Sequence, residues 1–161
     1  MKKVIFLDRD GVINDNSAYY IYKWEDFKIN KGVLEFLIEL KNKDYEFIII
    51  SNQSGIAKSI YSIYETELLH QKLDEYLHNY NIRILEYYYC THHPDVTNCL
   101  CRKPSSLLFE KAIARFNIDV SKSFMIGDQP RDIESAEKVG IKGILIESNS
   151  DLRQILTQIL T

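Results

Sequence analysis

Five short apolar runs, each followed by a stretch with helical spacing, constrain this chain more than any other feature. The runs cover residues 4–7, 45–50, 84–89, 123–126 and 143–146, are rich in β-branched and aromatic residues, and do not alternate with polar ones. Unalternating runs of that length suit strands covered on both faces. Between them, apolar residues recur at helical spacing: Val33, Phe36, Leu37 and Leu40; Leu68, Leu69, Leu73 and Leu77; Leu107, Leu108, Ala112 and Phe116; Ile133, Ala136 and Val139; Leu152, Ile155 and Ile159. Strand followed by helix, five times over, predicts an α/β fold with a doubly wound parallel sheet. At 161 residues, 45% of them apolar, the chain has material for one core but not two, so a single domain over residues 1–161 is expected. Two segments, 14–30 and 91–104, fit no regular element. Neither is long enough for a separate cap domain, and both leave from carboxyl ends of strands, where such sheets bind ligands.

Twenty Lys and Arg against 23 Asp and Glu leave a net charge of −3. That balance argues against nucleic acid or a membrane surface as partner, whereas a small phosphate needs only a few local cations and backbone N–H groups. No apolar run spans a bilayer, and the N-terminus MKKVIFLDRD turns charged before it could form a signal-peptide core. A cytoplasmic, monomeric protein is expected.

The chemistry-bearing residues fall at the strand ends. The first run passes into Asp8-Arg9-Asp10-Gly11, and the fourth into Gly127-Asp128 with Asp132 following. Carboxylates converging from separate strands repel unless a cation lies between them, and an all-oxygen ligand set suits Mg²⁺. The second run ends in Ser51-Asn52-Gln53-Ser54-Gly55, whose hydroxyls, amides and flexible backbone suit phosphoryl oxygens. The irregular stretch after the third run closes on Arg102-Lys103-Pro104, with Ser105 expected to start a helix, and Lys103 can offer positive charge to a transferring phosphoryl group.

Acid pair, hydroxyl, lysine and acid, in that order at successive strand ends, resemble the four motifs of the haloacid dehalogenase (HAD) phosphohydrolase superfamily. Asp8 to Asn14, Ser51 to Ala57 and Cys101 to Pro104 are similar to the family of D-glycero-D-manno-heptose 1,7-bisphosphate phosphatases, with histidinol-phosphate phosphatases as close relatives. The resemblance implies that Asp8 attacks phosphorus to give an aspartyl phosphate, and that Asp10 protonates the leaving oxygen and later activates water. It implies Mg²⁺ on Asp8, the Asp10 carbonyl and Asp128, with Ser51 and Lys103 holding phosphoryl oxygens and Asp132 orienting Lys103 or the metal shell. It also implies a substrate loop of Asn16, Ser17, Ala18 and Tyr19, with Ala18 where glycine is common, and a Gln129 where heptose phosphatases often carry Lys. Asn52, Gln53, Ser54, Arg102 and Gln129 complete the expected substrate contacts, with Asp15 assigned to solvent. A non-enzyme rival, the phosphoaspartate receiver domain, carries its aspartate after the third strand, where this chain has Cys90.

Cys90, His92, Cys99 and Cys101 lie within twelve residues. Three thiolates and an imidazole make a closed tetrahedral zinc site, structural because no position is left for water. The zinc would fix the loop that delivers Arg102 and Lys103, leaving His93 to face solvent or the substrate mouth. The short spacing of His92 to Cys99 is nearer the histidinol-phosphate enzymes. Arg102, whose planar fork can grip an oxyanion twice, favours a second phosphate.

Overall fold

The first apolar run becomes the middle of the sheet. The computed structural model describes residues 1–161, and its ten main elements follow the expected order: β1 (Lys3–Leu7), α1 (Val33–Lys41), β2 (Tyr45–Asn52), α2 (Ile63–His78), β3 (Ile84–Cys90), α3 (Leu107–Phe116), β4 (Phe124–Gly127), α4 (Pro130–Glu137), β5 (Lys142–Leu145) and α5 (Leu156–Leu160). The strands pair in parallel in the order β3-β2-β1-β4-β5. The order reverses direction beside β1, so the ends of β1, β2 and β4 open a crevice there.

Alternation along the strands divides the core between two faces. Ile5, Leu7, Phe47 and Ile49 pack with α1, α2 and α5, whereas Val4, Phe6, Ile48 and Ile50 pack with α3 and Ala136 of α4. Covered on both sides, β1 and β2 need no polar positions, which explains their unalternating runs. Each such buried side chain contributes about 1.5–3 kcal/mol, so the strand ends that carry the acids sit on the most firmly held part of the molecule.

One helix start differs from the expected one. The Ser105 N–H bonds the Arg102 carbonyl at 2.8 Å, closing a turn at the end of the loop, and α3 begins two residues later, at Leu107 rather than Ser105. Pro130 opens α4 ahead of its first apolar residue, and Asp132 Oδ2 accepts the Gln129 N–H at 3.0 Å, occupying a donor that the helix leaves unpaired. Segments 14–30 and 91–104 contain no long element, and no cap domain is present. No helix is long and apolar enough to cross a membrane.

Candidate active site

Asp8 follows β1 directly, and its backbone N–H bonds the Ile126 carbonyl of β4 at 3.0 Å. The chain then turns tightly, with the Arg9 carbonyl accepting from Val12, Ile13 and Asn14 at 3.3, 2.8 and 3.2 Å. The Asp10 carbonyl accepts no hydrogen bond in that turn and is available to a cation. Gly11 has φ +88°, and a Cβ there would lie 2.3 Å from Asp128 Oδ2, so only glycine lets Asp128 come this close.

Lys103 supplies the countercharge. Its Nζ lies 2.9 Å from Asp8 Oδ1 and 2.7 Å from Asp132 Oδ1, and donates to the Ile50 carbonyl at 2.8 Å. Buried at 1% exposure, such an ammonium is tolerable only with this many partners. Burial pulls its pKa down, but Asp8 and Asp132 outweigh that and hold it above the ordinary lysine value. Burial acts on Asp8 in the opposite sense, pushing its carboxyl up to about 7 against the pull of Lys103.

Carboxylate oxygens of Asp8, Asp128 and Asp132 lie within 4.8 Å of one another. Asp132 is already committed, one oxygen to Lys103 and the other to the Gln129 N–H. Asp8, Asp128 and the Asp10 carbonyl therefore remain for a hard cation, which fits the donor set. The second cluster is sulfur-rich: Cys90 Sγ lies 3.6 Å from Cys99 Sγ and from His92 Nδ1, and Cys101 Sγ lies 3.3 Å from His92 Nδ1. A tetrahedron with metal–sulfur bonds of about 2.3 Å has S···S edges of about 3.8 Å, so the four groups fit one ion.

A cavity of about 360 Å³ opens over the acids, and Asn16, Tyr19, Ser51, Asn52, Gln53, Ser54, Arg102, Lys103 and Gln129 all line it, as does His93. Ser17 and Ala18, the other two residues of the expected substrate loop, lie outside its lining. Asp15 Oδ1 accepts the Ser17 N–H at 2.9 Å, a local turn that leaves both residues exposed. Sequence reasoning missed Tyr20, Ile21, Tyr61 and Arg131 in the wall. For Arg131 a signal existed, since it sits in the first turn of the helix that follows Asp128. Tyr61 carries none, because tertiary stacking on Tyr22 at 5.1 Å brings it there.

The Asp10 carboxylate is the most heavily engaged of the acids. Arg9 Nη2 lies 3.1 Å from both its oxygens, and Asn14 Nδ2 donates to Oδ1 at 3.0 Å. Arg9, 1% exposed, also donates to the Ile21 carbonyl at 2.6 Å and approaches His70 Nε2 at 3.4 Å. Burial, then Arg9, lowers the His70 pKa to about 3, so its ring is neutral and able to accept.

Residues 100–159 match the family described as HAD-hydrolase-like. The chain is 37% identical over 150 residues to D-glycero-beta-D-manno-heptose-1,7-bisphosphate 7-phosphatase of Haemophilus ducreyi, covering 88% of this chain and 80% of that one. It is 39% identical over 145 residues to the alpha-named 7-phosphatase of Photorhabdus laumondii, covering 86% and 79%. This chain belongs to the heptose-bisphosphate phosphatase family of HAD-like hydrolases. The crystal structure of a member, D,D-heptose 1,7-bisphosphate phosphatase from B. bronchiseptica complexed with magnesium and phosphate, superposes with a TM-score of 0.84 at 28% identity, over 97% of this chain and 86% of that one.

Within the heptose-bisphosphate phosphatase frame, two residues expected to contact substrate also bond other parts of the protein. The Asn52 amide clamps the Lys103 backbone, accepting its N–H at 3.0 Å and donating to its carbonyl at 3.2 Å. The Gln53 amide donates to Asp10 and Ser51. Both residues face the cavity, and Gln53 already uses both its N–H donors, whereas Asn52 keeps one.

Proposed function

We propose that the chain is a Mg²⁺-dependent phosphatase that removes one phosphate from D-glycero-D-manno-heptose 1,7-bisphosphate through an aspartyl phosphate on Asp8. The observation that carries this reading is Lys103 Nζ, buried between Asp8 and Asp132 at 2.9 and 2.7 Å. It holds the Asp8 carboxylate toward a cavity whose other wall offers Ser51 and Ser54 hydroxyls. Mg²⁺ on Asp8, Asp128 and the Asp10 carbonyl would supply Lewis-acid charge to offset an anion attacking an anion. The Asp8 carboxylate oxygen forms a bond to phosphorus while the bond from phosphorus to the sugar oxygen breaks, and Asp10 gives its proton to that leaving oxygen. Asp10 then takes a proton from water, whose oxygen attacks phosphorus and releases Asp8 and inorganic phosphate. Lys103 and Ser51 steady the phosphoryl oxygens through both steps.

Zn²⁺ suits the sulfur cluster, where it would stiffen the loop from Cys90 to Arg102. The reading includes a single-domain, monomeric, cytoplasmic enzyme, since every group it uses comes from this one chain. Arg102 and Arg131 line the same cavity, neither has a carboxylate partner among the protein's ion pairs, and together they suit a second phosphate. The cationic tail of histidinol phosphate would want carboxylates there instead, and Asp15 is turned onto the Ser17 N–H. With Mg²⁺ present, kcat/KM for heptose 1,7-bisphosphate is expected to exceed that for histidinol phosphate at least about tenfold, a discrimination of about 1.4 kcal/mol. A preference for histidinol phosphate would refute the substrate assignment.

A further inference from the structure

Gln53 borders the cavity, yet its amide is not free to meet a substrate. Only 1% exposed, it donates through Nε2 to Ser51 Oγ at 2.7 Å and to Asp10 Oδ2 at 3.0 Å, while Oε1 accepts from the Tyr61 hydroxyl at 2.6 Å. A primary amide has one donating and one accepting end, so its orientation is decided by what faces each. Turned the other way, it would aim Oε1 at the Asp10 carboxylate, leaving two acceptors opposed with no proton between them. Tyr61 supplies the donor that favours the observed orientation. Burial pushes its pKa up to about 12, so the hydroxyl keeps its proton. Its ring is fixed by stacking on Tyr22, 9° from coplanar, and by close approach to Gly55, where a Cβ would come 2.1 Å from a ring carbon.

Two groups depend on that amide. Arg9 and Asn14 hold Asp10 Oδ1, whereas Oδ2 is held by Arg9 and Gln53 alone. Ser51 Oγ accepts from Gln53, which leaves its own O–H to donate into the cavity. We propose that Tyr61 is a positioning residue: through the Gln53 amide it fixes the Asp10 carboxylate in the orientation that protonation of the leaving oxygen uses. The inference rests on the role given to Asp10 above. The Tyr61 hydroxyl itself acts on neither reacting atom.

Tyr61→Phe removes the hydrogen bond and keeps the ring and its stacking, so the variant retains the packing that folding needs. A sugar alkoxide requires the Asp10 proton to leave, whereas p-nitrophenolate does not, and kcat/KM reports events only up to that departure. The expected result is a fall of about tenfold in kcat/KM on a sugar phosphate with at most about twofold on p-nitrophenyl phosphate. A double-mutant cycle sharpens this: in a Gln53→Ala background, Tyr61→Phe is expected to add nothing. Equal losses on both esters, or losses that multiply in the double variant, would mean that Tyr61 acts by packing or by touching substrate, and would overturn the proposal. Asp10→Asn measured alongside separates the two levels. If it keeps sugar phosphate turnover, the role of Asp10 falls and the positioning role with it; if it is inactive while Tyr61→Phe matches the parent, only the positioning role falls.

Discussion

Two clusters able to hold metal share one edge of the sheet, and they are stabilised in opposite ways. The carboxylates of Asp8 and Asp132 are bridged by a buried lysine from the same chain, and Asp8 stands at the end of a strand covered on both faces. The Cys90, His92, Cys99 and Cys101 group has no internal countercharge, and all of it but Cys90, the last residue of β3, sits in a loop without regular structure. Burial pushes the Cys90 and Cys101 thiols up, and only at Cys99 do the backbone N–H groups of Arg102 and Cys101 outweigh burial and bring the thiol down. Thiols that resist losing their protons need a cation to become ligands. The first cluster thus carries its own cation, whereas the second would be completed by a metal ion. Lys103 belongs to both, arriving from the sulfur loop but anchored by Asn52 and the acids.

The sharpest way to break this contrast is to remove chemistry from the first cluster without touching its support. Asp8→Asn is expected to lower turnover by at least about a thousandfold with the fold retained, because Lys103 keeps Asp132 and the Ile50 carbonyl as partners and one charge leaves a mutually repelling acid cluster. Unfolding of that variant in a thermal melt would show that the cluster is structural as well.

Attacking the second cluster should do the reverse. Purified protein is expected to carry about one zinc per chain by elemental analysis. Cys99→Ala should lose most of it, together with roughly 5 °C or more of melting temperature. Activity should fall by only about tenfold, since Asn52 still holds Lys103. Adding Asn52→Ala should then cost more than it does in the zinc-loaded protein. Complete inactivation by Cys99→Ala in a folded sample would erase the distinction between the clusters.

The smallest effect concerns the support behind Asp10. His70, packed against Arg9 and stacked on Tyr87 at 4.3 Å, has a folded pKa of about 3 against 6.5 for the free side chain. The unfolded chain binds the extra proton, so this contribution to stability is fully present above pH 6.5 and declines as the pH falls toward 3. His70→Gln keeps an acceptor for Arg9 and should flatten that decline, as read by denaturant melts across the window. An unchanged slope would contradict a buried neutral imidazole.

Those tests follow the line between what was legible in the sequence and what was not. The strands could be read because burial on both faces leaves unbroken apolar runs, and Asp8, Asp10, Ser51, Lys103 and Asp128 because each stands beside a strand end or a marked loop. The sulfur cluster could be read because its four ligands are local. Asn52 and Gln53 were visible as polar residues at the right place, but not their partners, since an amide's role depends on what lies across space. Arg9 passed as the spacer between two acids although it is buried against Ile21 and His70. Ser17 and Ala18 were placed in the substrate loop by resemblance, and the hydrogen bond from the Ser17 N–H to Asp15 that shapes this turn could not be read from the sequence.

The most direct measurement is on Asp8 itself. Rapid acid quench of a single turnover with heptose 1,7-bisphosphate and Mg²⁺, followed by mass spectrometry of the peptide containing Asp8, is expected to show one added phosphoryl group that hydroxylamine removes and that Asp8→Asn abolishes. Product formed within that first turnover with no label on Asp8, or with the label on another residue, would contradict covalent transfer at the end of β1.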